Sequence, residues 1–202
     1  TNILAAADKA PGHGLANAFA ATLWMFLEAP VAAAKARPYL RKAETAKPTD
    51  DREASIVRIV ARWVANDIPA LIAACEAHID AYPRDLVVLK LAQYHLFNTG
   101  DSAGMLRVAL KAEEAAGDVA HTHAMIAFGY EQCHLLRHAE NAARRALDTD
   151  ALEPWAHHAL AHVMLTEGRI AEGAAYLESV AESWQDLNSF MRSHNWWHLA
   201  LF

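Results

Sequence analysis

A step of 34 residues runs through the sequence and limits its fold more than any other feature. Asn66, Gly100, His134 and Gly168 stand 34 apart in series. Three of these four are Asn or Gly, which tolerate positive φ and end helices readily, as a tight turn between two helices requires. The same step relates Ala127 to Ala161, Ala139 to Gly173, and Ala146 to Val180. Small residues at such places let two paired helices approach closely. Alanine supplies about a fifth of the 202 residues, and Gly (8) and Pro (7) are scarce, which favours helix almost everywhere. No alternating run suggests a strand, and neither a Gly-rich phosphate loop nor a G-x-S-x-G elbow occurs.

Tyr130, Ala139 and Ala146 sit where a tetratricopeptide repeat (TPR) wants its aromatic and its two small residues. Pro83 takes the place of the proline that closes such a repeat. The expected fold is therefore all-α: a TPR-like superhelix of stacked antiparallel helix pairs with a concave groove, forming one domain over 1–202. Repeats are expected over 13–48, 51–84, 85–118, 119–152 and 153–186, with the first helix of a further repeat at 189–202. Helices are expected near 13–28, 30–45, 51–65, 68–81, 85–98, 102–116, 121–133, 136–148, 154–166, 169–183 and 189–202. Thr49-Asp50-Asp51 before Glu53 supplies N-cap chemistry, and Glu153-Pro154 puts proline at a first helical turn.

Charge and cysteine content exclude several classes. Eighteen Lys and Arg against 24 Asp and Glu leave a formal charge of -6, which gives no positive field to bind nucleic acid through its phosphates. Residues 15–34 form the one candidate membrane span, but Glu28, Pro30 and a mostly alanine composition read as an amphipathic helix broken at the proline. No membrane association is expected. Cys75 and Cys133 are too few for a disulfide framework and suit a reducing cytoplasm. The chain starts without Met and stops inside an apolar helical run, so a fragment of a longer protein is expected. An array cut in this way exposes an apolar end, hence an expectation of homo-oligomers.

The last third carries a more specific signature. Phe128-Gly129-Tyr130-Glu131, Trp155-Ala156-His157-His158-Ala159-Leu160-Ala161-His162-Val163, Glu167-Gly168-Arg169 and Ser193-His194-Asn195-Trp196-Trp197-His198-Leu199-Ala200-Leu201-Phe202 resemble the tetratricopeptide repeat protein 38 family. Asp51-Arg52-Glu53, Tyr82-Pro83-Arg84-Asp85, Leu89-Lys90 and Gly12-His13 extend the resemblance over nearly the whole chain. It implies an α-helical solenoid, from a bacterial member or a fragment of one, and little about activity. Around Gln93-Tyr94-His95 the sequence departs from relatives, which often carry a His one or two places earlier.

Twelve histidines require their own account. Residues four apart share a helix face, with Cβ atoms about 5–6 Å apart. His158 with His162, and His194 with His198, are such pairs, where chance would give about 0.7. His134 and His138 form a third, across an expected turn. In the repeat register the first two pairs fall on successive first helices and face the groove, so four imidazoles converge on one wall. Such a set can hold zinc or another divalent transition metal. Glu131 or Glu167 could serve as ligand or general base, though no H-E-x-x-H motif is present. The alternative is a set of polar interior residues hydrogen-bonded across helices or to a bound peptide. Asn195, Trp197 and His13 join the candidate groove residues. His78, His95, His121, His123 and His157 have no partner at helical spacing and read as boundary residues.

Two functions follow. One is a scaffold that binds a peptide, partner protein or small molecule in its groove beside the His-rich site. The other is a metal-dependent enzyme or small-molecule-binding protein using His158, His162, His194 and His198. The sequence leaves open whether the chain is an enzyme.

Overall fold

Four turns carry the repeat into three dimensions. Asn66, Gly100, His134 and Gly168 all have left-handed backbones, with φ of 59°, 77°, 58° and 71°. At each, the next residue sends its N–H back to the carbonyl five positions earlier. Asp67 reaches Arg62, Asp101 reaches Leu96, Leu135 reaches Tyr130 and Arg169 reaches Met164, at 2.8–2.9 Å. The bond satisfies a carbonyl that the ending helix leaves open. His134 adopts the same turn as the glycines at an exposed position, against a left-handed cost of about 1–2 kcal/mol for an L residue. Glycine avoids that cost but loses more entropy on ordering, so His134→Gly is expected to raise the unfolding free energy by a net of about 0.5–1 kcal/mol. Urea denaturation checks this, and a loss of stability would contradict it.

The structure, a computed structural model, describes residues 2–202. Thr1, with which the expected 1–202 domain begins, lies outside the described residues. Those residues form thirteen α-helices and one 3-10 turn, with no strand. They divide into two compact units, residues 1–95 and 96–202.

The first unit holds α1 (Asn2–Lys9), α2 (Gly14–Met25), α3 (Ala32–Thr45), α4 (Asp51–Val64), α5 (Ile68–Ala81) and most of α6 (Leu86–Asn98). Helix α2 packs on α3 and α4, and α4 packs on α5. Alanine makes the close approach between α2 and α3: Ala18, Ala20, Ala21 and Ala36 are fully buried. Asp50 caps α4 through the Glu53 N–H at 2.7 Å, and Asp67 caps α5 through the Ala70 N–H at 3.3 Å. The expected helices begin at residue 13, yet Asn2–Lys9 also forms a helix, α1.

The second unit continues with α7 (Ser102–Lys111), α8 (Glu113–Ala116), α9 (Ala120–Gln132), α10 (Leu136–Thr149), α11 (Pro154–Thr166), α12 (Ile170–Val180), the 3-10 turn Ala181–Trp184 and α13 (Ser189–Ala200). Helix α9 packs on α7, α10 and α11, while α11 packs on α12 and α13. First helices therefore lie side by side within this unit, as stacked hairpins require. The expected 102–116 helix is interrupted at Ala112, and the 169–183 helix finishes in the 3-10 turn. Buried Ala161, Leu177, Ala181 and Trp184 form a core closed by Tyr176, Val180, Leu187, Leu199 and Phe202.

Gly129 shows how closely α9 and α7 meet. A Cβ there would lie 2.8 Å from Leu106 Cα and 3.2 Å from Leu106 N. These are backbone atoms that cannot swing aside. Gly129→Ala is thus expected to destabilise by about 1–3 kcal/mol, reversing the usual helix gain of about 1 kcal/mol for that change. Chemical denaturation is the check, and a stabilised variant would refute the close approach.

Candidate metal centre

Helix α11 carries His158 and His162 one turn apart, and α13 carries His194 and His198 in the same way. Because α11 and α13 pack together, the two pairs face one another. One ligand-capable nitrogen from each ring lies within 4.8 Å of all the others. His158 and His194 have ring centroids 4.8 Å apart, and His162 and His198 have theirs 4.5 Å apart. The four rings converge.

The nitrogen contacts are specific. Nε2 of His198 lies 3.2 Å from Nε2 of His162 and 3.1 Å from Nε2 of His194. An imidazole nitrogen has one in-plane site, either an N–H or a lone pair, so His198 Nε2 cannot serve both neighbours well. On the far side of His162, Nδ1 lies 3.2 Å from Glu131 Oε1. An N–H on Nδ1 would donate to this carboxylate, the arrangement that frees Nε2 to ligate a metal. Gln132 Nε2 donates to the other Glu131 oxygen at 2.7 Å. Glu131 thus occupies the outer position of a carboxylate–histidine pair, as commonly orients a metal-binding ring.

Burial favours the neutral form of His198 and His194. Desolvation, reinforced by the neighbouring His162 and His194, pushes the His198 pKa down to about 4, against a weaker opposing pull from Glu131. Desolvation and His162 also lower that of His194. Neutral imidazole is the form that ligates metal. Phe128 and Trp155 each pack against the His158 ring at 5.4 Å, and Phe190 stacks on His194 at 5.4 Å and 12°. His158 and His198 are buried, while His162 and His194 are partly exposed. On the His194 side an open cleft of about 460 Å³ is lined by Ser189, Phe190, Ser193, His194 and Trp197.

Of the other candidate residues, only Trp197 lines the cleft beside His194. Asn195 is buried and donates from Nδ2 to the Pro154 carbonyl at 3.3 Å, tying α13 to the start of α11. Trp197 is 60% exposed on the cleft wall. His13 belongs to the first unit and caps α2, its Nδ1 accepting the Ala16 N–H at 3.4 Å. Glu167 pairs with Arg169 at 2.8 Å.

Four of the histidines read as boundary residues are instead interior. His157 is fully buried: its Nε2 donates to the Ala151 carbonyl at 3.0 Å, and its Nδ1 accepts from the Trp184 indole at 3.0 Å. His123 donates to the Gly117 carbonyl at 2.9 Å. His95 packs edge-on against Trp63 at 4.6 Å, and burial pushes its pKa down to about 4. His78 lies 3.0 Å from Ser55 Oγ and 3.1 Å from Asp85 Oδ2, and Arg52 pairs with the same Asp85 oxygen at 2.7 Å. Burial raises the Asp85 pKa, but His78 and Arg52 outweigh it and the carboxyl stays ionised. Spacing along one helix could not reveal these partners, which come from other helices or loops.

Glu53 is a second buried carboxylate in the first unit. It accepts from the Leu15 N–H at 2.8 Å and from the Thr49 N–H and hydroxyl at 2.8 and 2.7 Å. The Thr49 hydroxyl is the main reason its pKa is lowered. Glu53 and Asp85, both quoted in the family resemblance, are thus buried polar joints, and the half-exposed Arg52 pairs with Asp85.

No protein-family profile matches the sequence. Among solved structures, the chain is similar to MamA (residues 41 to the end) from Desulfovibrio magneticus RS-1. The TM-score is 0.57 at 16% identity, over 84% of this chain and 97% of that one. The MamA RS-1 ArsTM double mutant gives the same values: a TM-score of 0.57, 16% identity, and 84% and 97% coverage. At this identity the likeness concerns the fold, which is an all-α, TPR-like helical repeat. Among the described residues, no helix is long and apolar enough to cross a membrane.

Proposed function

We propose that this chain is a TPR-like scaffold of the tetratricopeptide repeat protein 38 family that holds a divalent transition metal on His158, His162, His194 and His198. The observation that carries the reading is His198 Nε2, placed 3.1 and 3.2 Å from two other Nε2 atoms. Zinc–nitrogen bonds of about 2.0–2.1 Å put tetrahedral ligands about 3.3–3.4 Å apart, close to those spacings. A cation between the rings would turn clashing lone pairs into donors. When bound, such an ion would supply Lewis acidity and a cross-link between α11 and α13. Glu131 would orient His162, rather than ligate or act as a base. Phe190, 63% exposed, and Trp197 beside His194 favour a peptide, partner protein or small molecule as what the scaffold binds at this face.

The test is metal analysis of untagged protein after exposure to zinc and gel filtration. About one zinc per chain is expected for the natural sequence, and none for the His158→Ala, His198→Ala double variant. Absence of bound metal in the natural sequence would remove the metal from the reading and leave a scaffold alone.

A further inference from the structure

We infer that the metal-loaded site takes a small anion as an exchangeable fifth ligand on its His194 side, the ion expanding from four to five coordination. This rests on the metal reading above. Four imidazoles are neutral donors, so a divalent ion held by them keeps its double positive charge. Glu131, held on the outer nitrogen of His162 at 3.2 Å, offsets one unit and leaves one uncompensated. The surroundings solvate that charge poorly, because Phe128 and Trp155 pack on His158 and Phe190 stacks on His194. A charge kept away from water is costly unless it is paired.

The geometry gives the anion a side from which to enter. His158 and His198 are buried, and the two partly exposed rings are His162 and His194. The cleft of about 460 Å³ opens beside His194, with Ser189 and Ser193 as polar lining and Phe190 and Trp197 as apolar walls. Its chemistry suits a compact anion with one ligating atom and room for a small organic group, such as a carboxylate. Inorganic phosphate offers the same ligating oxygen from another source.

Cobalt(II) in place of zinc makes the coordination visible through its d–d absorption. Cobalt-loaded protein is titrated with azide, then with formate or inorganic phosphate. The expected result is a saturable change of the visible bands with one azide per cobalt, reversed competitively by formate, phosphate or both. Glu131→Gln removes the outer negative charge and is expected to bind azide several-fold more tightly. Should that variant lose its cobalt, titration of the natural sequence decides alone. Bands that form but do not move with azide overturn the anion site and leave the metal reading standing. If no cobalt bands form, both fall.

Discussion

Zinc added to metal-free protein is expected to raise its thermal midpoint by about 5–10 °C, and a chelator to reverse the shift. A ligand that binds only the folded state at about 100 times its Kd adds about 2.7 kcal/mol. For a chain of about 150–250 residues each kcal/mol is worth about 2–4 °C. The ion would join α11 to α13, whose other ties include the bond from Asn195 to the Pro154 carbonyl. His158→Ala with His198→Ala should abolish the response, whereas His134→Gly, whose ring lies in an exposed turn, should keep it. Differential scanning calorimetry with and without zinc reads the shift. An unchanged midpoint in the natural sequence would contradict the site.

Acid should destabilise the metal-free protein well before its carboxylates protonate. His95 and His198 are held neutral in the folded state, with pKa values pushed down to about 4 by burial. In the unfolded chain each takes up a proton near the ordinary value of about 6.5. Between those values the unfolded state binds more protons, so stability falls as pH falls. The contribution is complete above about pH 6.5 and is gone below about pH 4. Each group contributes at most on the order of 1 kcal/mol per pH unit within that window, and the pair roughly twice that. Urea unfolding at pH 7, 6 and 5 measures the slope, and His95→Gln should reduce it by about half. A flat profile between pH 7 and 5 would show that these rings are not buried in neutral form.

Local signals were legible in the sequence, and contacts across elements were not. The 34-residue step marked the left-handed turns at Asn66, Gly100, His134 and Gly168, because a helix end is decided by a few consecutive residues, whereas Glu28, also at positive φ, falls outside the step. Even His134, which breaks the Asn and Gly pattern, follows its register. The two histidine pairs were visible because spacing of four fixes a helix face, and their meeting followed from first helices lying side by side. The role of Glu131 was not visible, since it depends on its rotamer and on how α9 sits against α11. His78 and His157 were misread for the same reason: Asp85 and Trp184 become their partners only after helices and turns pack. Helix α1 was missed because its short sequence carries no cap signal comparable to Asp50 or Asp67.

The proposed metal also changes what the repeat scaffold is for. Where α2 and α3 pack through buried alanines, α11 and α13 bring four imidazoles together. Elsewhere in the second unit Arg169 pairs with Glu140, Glu167 and Glu172 at the surface. The imidazole corner is different: it gathers four rings, sets the Glu131 carboxylate against one from outside, and has His194 beside an open cleft.

The most direct measurement is an anomalous difference map, at the zinc absorption edge, from crystals grown with zinc. The account predicts one strong peak enclosed by His158, His162, His194 and His198, about 2.0–2.1 Å from a nitrogen of each ring. A map with no peak between α11 and α13, or with zinc only at surface carboxylates, would contradict it.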